Sequence, residues 1–367
     1  MTTSLHSGKP VFSQFSRLLA LATIAVLCFS APLPAQTRGF IPINPPGAGT
    51  RADQGTTAIA INQNGVVAGY YGDDNYAFHG FVRSTEGVIT EFDAPGLINT
   101  MVSGINSSGQ IVGHGIYNSI EYLGFLRAPG GGINGFRAPS AIVTYPTGIN
   151  DSGEIAGFYY TGDYVYHGFI ATVSSGTFSY TLFDEPNASK IPTFGTHVNG
   201  INANGVVVGY YEDATVGAIR GFTRDREGNF ASFDAPGAGT GQGYGSIPFS
   251  INASGEIVGY YSDSNAVLHG FYRDALGNVI DFDPPGSVQT FAYSINDNGD
   301  VVGYWAPNFQ GTRGFLREPS GIITSFSAPG EVSGGTSVFN INNAAQMTGS
   351  YVNSSGATLG FLWQAGK

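Results

Sequence analysis

Apolar and polar positions in this chain alternate in short runs bounded by Gly, Asn, Asp and Pro, and the runs recur at a fixed interval. The clearest copy is Ile251 to Gly286, INASGEIVGYYSDSNAVLHGFYRDALGNVIDFDPPG. The signature I-N-x-x-G-x-x-x-G starts at Ile61, Ile105, Ile149, Ile201, Ile251, Ile295 and Ile341, the last with Ala345 in place of the first Gly. A Gly-Phe pair follows each time, with its ring at Phe81, Phe125, Phe169, Phe222, Phe271, Phe315 and Phe361. F-D-x-P-G closes three units, at Phe92–Gly96, Phe233–Gly237 and Phe282–Gly286. The period of 44 to 52 residues is the range of propeller blades.

Each unit holds four strand candidates. Strand a ends in Ile-Asn, b reads like Val-Val-Gly-Tyr-Tyr, c carries Gly-Phe, and d runs into Phe-Asp. β-Branched and aromatic residues fill these runs and turn formers punctuate them, while no helical period persists for three turns. In I-N-x-x-G the Asn suits an Asx-turn and the Gly supplies a positive φ. The residue before the Ile is small, Ala60, Gly104, Gly148, Gly200, Ser250 and Ser294 among them, as an innermost strand near an axis requires. The expected fold is an all-β, seven-bladed β-propeller of four-stranded blades.

The chain ends support closure. The seventh unit stops at Lys367 before any strand d, whereas Gly39–Gly47 (GFIPINPPG) reads as a strand d with no unit before it. The N-terminal strand is therefore expected to complete the last blade, against Leu359–Trp363.

Together INxxGxVVG and HGF, with the terminal Gly360-Phe-Leu-Trp363, resemble the bacterial extracellular HAF repeat family over roughly Phe40 to Lys367, with Gly where the family name has Ala. The resemblance implies secretion and repeat architecture, and carries over no catalytic residue.

Residues 1–35 read as a secretory signal peptide: Lys9 and Arg17, an apolar Leu18–Phe29, then a small-residue stretch ending near Ala35. The apolar run is short for a membrane span, and Leu27 before Cys28 spoils a lipidation box. Residues 36–367 form one repeat domain, cysteine-free because Cys28 is the sole cysteine. Removing Lys9 and Arg17 leaves 13 basic and 26 acidic residues, a formal charge of −13, which argues against nucleic acid or an anionic membrane as partner. A secreted monomer is expected, with a glycan or another extracellular protein as partner.

Candidate chemistry is sparse. His79, His167 and His269 precede Gly-Phe, but the same position holds Arg220, Arg313, Leu123 and Leu359. Asp93, Asp234 and Asp283 follow 14 residues after His79, Arg220 and His269, and Asp184 follows 17 after His167. These read as cross-strand polar pairs. The acidic b–c loops offer oxygen ligands for Ca²⁺, though none matches the EF-hand pattern, and no cofactor is assigned. One Tyr of each strand-b pair is expected between blades. No G-x-S-x-G, H-E-x-x-H or P-loop occurs.

Strand direction places d–a and b–c loops on one face, and variable loops on a rigid scaffold are where binding residues gather. The candidate ligand-binding residues there are Phe194, His197, Tyr244 and Phe291, beside Asp73, Asp163, Asp213 and Asp263. Two functional classes stay open: a non-catalytic binding or scaffold protein, with a glycan as ligand, and a carbohydrate-active hydrolase or lyase. An enzyme should break the repeat at one place, with acids or His converging near the axis.

Overall fold

The computed structural model describes residues 39–308, 311–332 and 335–364; residues 1–35, expected to be a signal peptide, lie outside the described residues. Every described regular element is a β-strand, 28 in all. They form seven antiparallel a-b-c-d groups, one per repeat. In unit 1 these are Gly55–Ile61, Val67–Gly72, Phe78–Arg83 and Ile89–Phe92.

The Gly-Phe rings form the core. All seven are fully buried, each contributing about 1.5–3 kcal/mol of apolar burial. Strand-b glycines face them: a Cβ on Gly69 would lie 2.8 Å from the Phe81 ring and 2.1 Å from the Thr57 carbonyl oxygen. The strand-b pairs divide as alternation requires. Tyr71, Tyr211, Tyr261 and Trp305 are buried, while Tyr70, Tyr210, Tyr260 and Tyr304 are half-buried on the other side.

Adjoining units are tied by a device the local pattern does not reveal. The Asn of each I-N-x-x-G does make its own turn; Asn62 Oδ1 accepts from Asn64 N and Val66 N. Its Nδ2 also donates to the backbone carbonyl of the next unit's Asn. The chain runs from Asn62 to Asn106, Asn150, Asn202, Asn252, Asn296 and Asn342, at 2.9–3.1 Å per link. Asn342 then donates back to Asn62 at 3.1 Å. The inner strands thus close a circle of buried hydrogen bonds. The I-N-x-x-G glycines sit at φ 77 to 86°, and Ala345 holds the same place at φ 55°.

The expected closure is present. Phe40–Ile43 pairs antiparallel with Thr358–Trp363, Phe40 facing Trp363 and Ile43 facing Gly360. A parallel bridge from Gly55 to Thr358 joins unit 7 to unit 1, as Val143 to Tyr122 joins units 2 and 3.

Candidate functional site

The d–a and b–c loops meet on one face: Gly49 N donates to Gly72 O at 2.9 Å, Ile98 N to Ile116 O at 2.7 Å, and Val288 N to Ala306 O at 2.8 Å. The strand alternation that buries Gly-Phe puts the preceding His or Arg near this face. His79 Nδ1 lies 2.8 Å from Asp93, His167 2.7 Å from Asp184, and His269 2.6 Å from Asp283. Arg220 donates to Asp234 at 2.6 Å. Across c–d hairpins these are the expected cross-strand pairs, and the longer spacing at His167 reflects a longer hairpin.

Each pair gains a second acid. Asp73, Asp163 and Asp263 lie 3.6, 3.8 and 3.9 Å from the other imidazole nitrogen of His79, His167 and His269. Asp213 accepts from Arg220 Nε at 2.9 Å. These four candidate carboxylates also hold their own turns. Asp73 Oδ1 accepts from Asn75 N and Ala77 N at 2.8 Å each, and Asp263 does the same with Asn265 and Val267. Asp213 is held down to about 2, first by the Thr215 hydroxyl and then by Thr215 N. The Asp184 carboxylate raises His167. Four separate units each hold one such cluster, so the structure does not gather these acids into one site. Among the described residues no three His, Cys, Asp or Glu are placed to hold a metal ion.

The other candidates divide. Phe194 and Tyr244 are half-buried in the long d–a loops, where their carbonyls accept from Tyr166 N and Ile219 N at 2.9 and 2.7 Å. Phe291 lies in an aromatic cluster of units 5 and 6, its ring 5.0 Å from Tyr260 and 4.9 Å from Tyr304. Phe291 lies not in a loop but in strand a of unit 6 (Gln289–Ile295), and His197 holds the equivalent place in strand a of unit 4 (Thr196–Ile201), stacked on Tyr210 at 4.5 Å and 4.2 Å from Tyr166.

Buried acids break the repeat at Glu185, where other units have Ala94, Ala138, Ala235 and Ala328, and at Glu212, which meets His197. His197 Nε2 is 3.7 Å from Glu212 Oε1, with side-chain exposures of 9 and 10 %. Glu212 closes strand b, where the other units have Gly72, Ile116, Tyr160, Ser262, Ala306 and Val352. Its Oε2 accepts from Gly195 N at 2.9 Å, pinning the long d–a loop. Burial pushes the Glu212 carboxyl up to about 7 and the His197 imidazole down to about 3. At neutral pH the imidazole is uncharged and the carboxyl is near its midpoint. From this pair a line of rings leads outward, Tyr166 to Tyr160 at 5.5 Å and Tyr160 to Tyr164 at 5.7 Å.

Tyr164 ends that line at the tip of a b–c turn, 55 % exposed with φ 60°. Tyr76 holds the same place in unit 1, 57 % exposed with φ 64°. Units 4 and 7 have Gly217 and Gly356 there, at φ 70 and 82°, and unit 5 has Ala266 at φ 63°. A left-handed conformation costs an ordinary L-residue roughly 1–2 kcal/mol and glycine almost nothing. Two units therefore keep an exposed aromatic ring where the backbone favours glycine. Sequence reasoning passed over Tyr76 and Tyr164, and counted Glu212 among the acids of the b–c loops, whereas it closes strand b. The signal was there: with units superposed on Gly-Phe, Tyr76 and Tyr164 fall on Gly217 and Gly356.

On the opposite face a polar cavity of about 250 Å³ lies at the centre of the asparagine circle, lined by I-N-x segments of all seven units. The cavity arises because small residues keep the inner strands from filling the centre.

Neither a protein-family model nor a curated protein matches the chain. Solved structures do. The selenomethionine-substituted virginiamycin B lyase from Staphylococcus aureus is 14% identical, covering 89% of this chain and all of its own, with a TM-score of 0.56. The BP39L lectin from Burkholderia pseudomallei is 11% identical over 85% of this chain and 97% of its own, with a TM-score of 0.53. At such identities the likeness is one of fold, and the fold is an all-β propeller.

Proposed function

We propose that this chain is a secreted, seven-bladed propeller of the HAF repeat type that acts as a non-catalytic binding protein, taking hydroxyl-rich ligands, glycans above all, on its d–a/b–c face. The observation that carries the reading is the pair of exposed tyrosines at left-handed turn tips, Tyr76 and Tyr164. What sets Tyr76 and Tyr164 apart from Ala266, which holds the same turn position at φ 63°, is the exposed ring. Exposed rings stack on the apolar faces of sugars, and neighbouring Asp and Asn side chains exchange hydrogen bonds with hydroxyls. Tyr117, half exposed on the unit 2 b–c loop, extends the same surface.

The test separates binding from folding. Tyr76→Gly with Tyr164→Gly installs the residue that units 4 and 7 already use. The double variant is expected to melt at or above the wild-type temperature and to lose glycan-array binding. Leu276→Ser, on an opposite-face turn and 91% exposed, is the control. Binding that survives the double Gly variant, or falls with Leu276→Ser, overturns the face assignment.

One observation favours a second reading, a carbohydrate-active hydrolase or lyase on the same face. The His197–Glu212 pair is a buried acid beside a neutral imidazole at a point where the repeat breaks. Perturbed groups of this kind cluster at catalytic sites. Turnover of an array-positive glycan that disappears in Glu212→Gln supports the enzyme; binding without turnover supports the binding protein.

A further inference from the structure

A second opening lies between units 3 and 4, away from the tyrosine tips. The c–d hairpin of unit 3 is the longest in the chain, Tyr166–Ser174 with Thr177–Phe183, nine and seven residues against six and four in unit 1. It overhangs its neighbour and leaves a groove of about 280 Å³. Hairpin register sets Thr172 opposite Ser179 and Ile170 opposite Thr181, so three hydroxyl side chains line one wall. The facing wall carries Arg224 and Arg226.

Arg224 is 9 % exposed, and its Nε is buried without a hydrogen-bond partner. Its Nη1 donates to Asp225 O at 3.2 Å and its guanidinium stands 4.7 Å from the Phe183 ring. The same stack, with the same buried Nε without a partner, recurs at Arg127 on Phe92, Arg273 on Phe233 and Arg317 on Phe282, so neither the stack nor the unpaired Nε is peculiar to Arg224. What singles out unit 4 is the hydroxyl-lined groove over the guanidinium. Arg226 adds a second, 61 % exposed and paired at 2.6 Å with Glu154. Glu154 opposes Arg226 across this pair and the neighbouring Asp225 carboxylate acts on Arg224.

We propose that this groove binds an oxyanion borne on a hydroxylated molecule, as in a uronic acid. The guanidinium groups take the carboxylate, for which their planar donor fork is suited. Thr172, Ser179 and Thr181 take hydroxyls of the carrier. This site is independent of the tyrosine tips and stands whether or not they bind glycans.

Calorimetric titration of the full secreted chain with D-glucuronate, inorganic sulfate and D-glucose tests it. Glucuronate is expected to bind with a millimolar Kd, weakening as NaCl rises. Arg226→Gln should weaken it about tenfold and Thr181→Val about threefold. Glu154→Gln keeps an acceptor for the Asn150 amide, now at 2.7 Å from Glu154 Oε2, removes the opposing charge, and should tighten binding severalfold. A purely structural role for Glu154 gives no such gain. Thermal melts confirm that each variant is folded. Glucose binding as well as glucuronate, sulfate matching glucuronate with no response to Thr181→Val, no glucuronate binding at all, or indifference to both Arg226→Gln and Glu154→Gln would each overturn the proposal.

Discussion

Single residues in this protein do two jobs where the pattern announces one. Asn150 is the example. Oδ1 accepts from Ser152 N and Glu154 N, and Nδ2 donates to Asn202 O. Asn150→Ala strands buried groups on both sides and should cost about 2–4 kcal/mol in urea unfolding. Asn75→Ala, in an exposed loop turn, should cost less than about 1 kcal/mol; equal costs would deny the circle any special weight. The buried histidines make a second case. His114 faces Ser103, Tyr122 and Tyr145, and burial holds its imidazole down to about 3 against an ordinary 6.5. A depressed His contributes stability that is present above about pH 6.5 and is lost as pH falls toward 3, by at most ~1.4 kcal/mol per pH unit. His197 has the same sign. Glu212 has the opposite one: raised from 4.5 to about 7, its contribution is present below pH 4.5 and lost as pH rises through 7. Within unit 4 the two slopes oppose each other, and His114 adds to the acid limb beside lowered carboxylates such as Asp213. His114→Phe should flatten the fall in melting temperature between pH 6.5 and 4; a fall parallel to wild type would reject that assignment.

Among the elements, the N-terminal strand carries the most consequence for its length. Ile43 is fully buried, and the Phe40 ring lies 5.0 Å from Phe361 and 6.0 Å from Phe326. Losing the strand removes about four ladder hydrogen bonds at ~1 kcal/mol net each and two apolar side chains at roughly 1.5–3 kcal/mol each. That is comparable to the whole stability of a typical domain. A chain starting at Thr50 should lose its cooperative melt or aggregate, and an unchanged melting temperature would contradict the role given to the strand. The need for this strand was legible because one unit lacked strand d and one strand d lacked a unit. The overhang of the unit 3 hairpin was half legible: the spacing of 17 from His167 to Asp184 exceeds the usual 14, but a longer hairpin does not by itself say which neighbour it shadows.

On the scale of the whole molecule, the asparagine circle has no first member, so the position of the chain ends should matter little. A circular permutant that links the ends flexibly and opens at Leu276-Gly277 splits unit 5 between strands c and d, as unit 7 is split naturally. Its melting temperature should stay within several degrees of wild type. Failure to fold would mean that unit 7 is a special closure and not simply the place where the chain happens to begin.

Repeat number, strand order within a unit, the hairpin turns, the buried Gly-Phe rings and the strand that completes unit 7 could all be read from the sequence, because each rests on contacts within one unit or on copies that share a pattern. The cross-strand His–Asp and Arg–Asp pairs belong with them, since a hairpin fixes its partners by register. The asparagine circle, the His197–Glu212 pair and the groove over Arg224 could not be read. The circle and the groove are made between units, where sequence separation carries no information about distance; the pair lies within the a–b hairpin of unit 4, where burial alone sets the charge state. Only the packed ring decides which side chains of one unit meet those of the next.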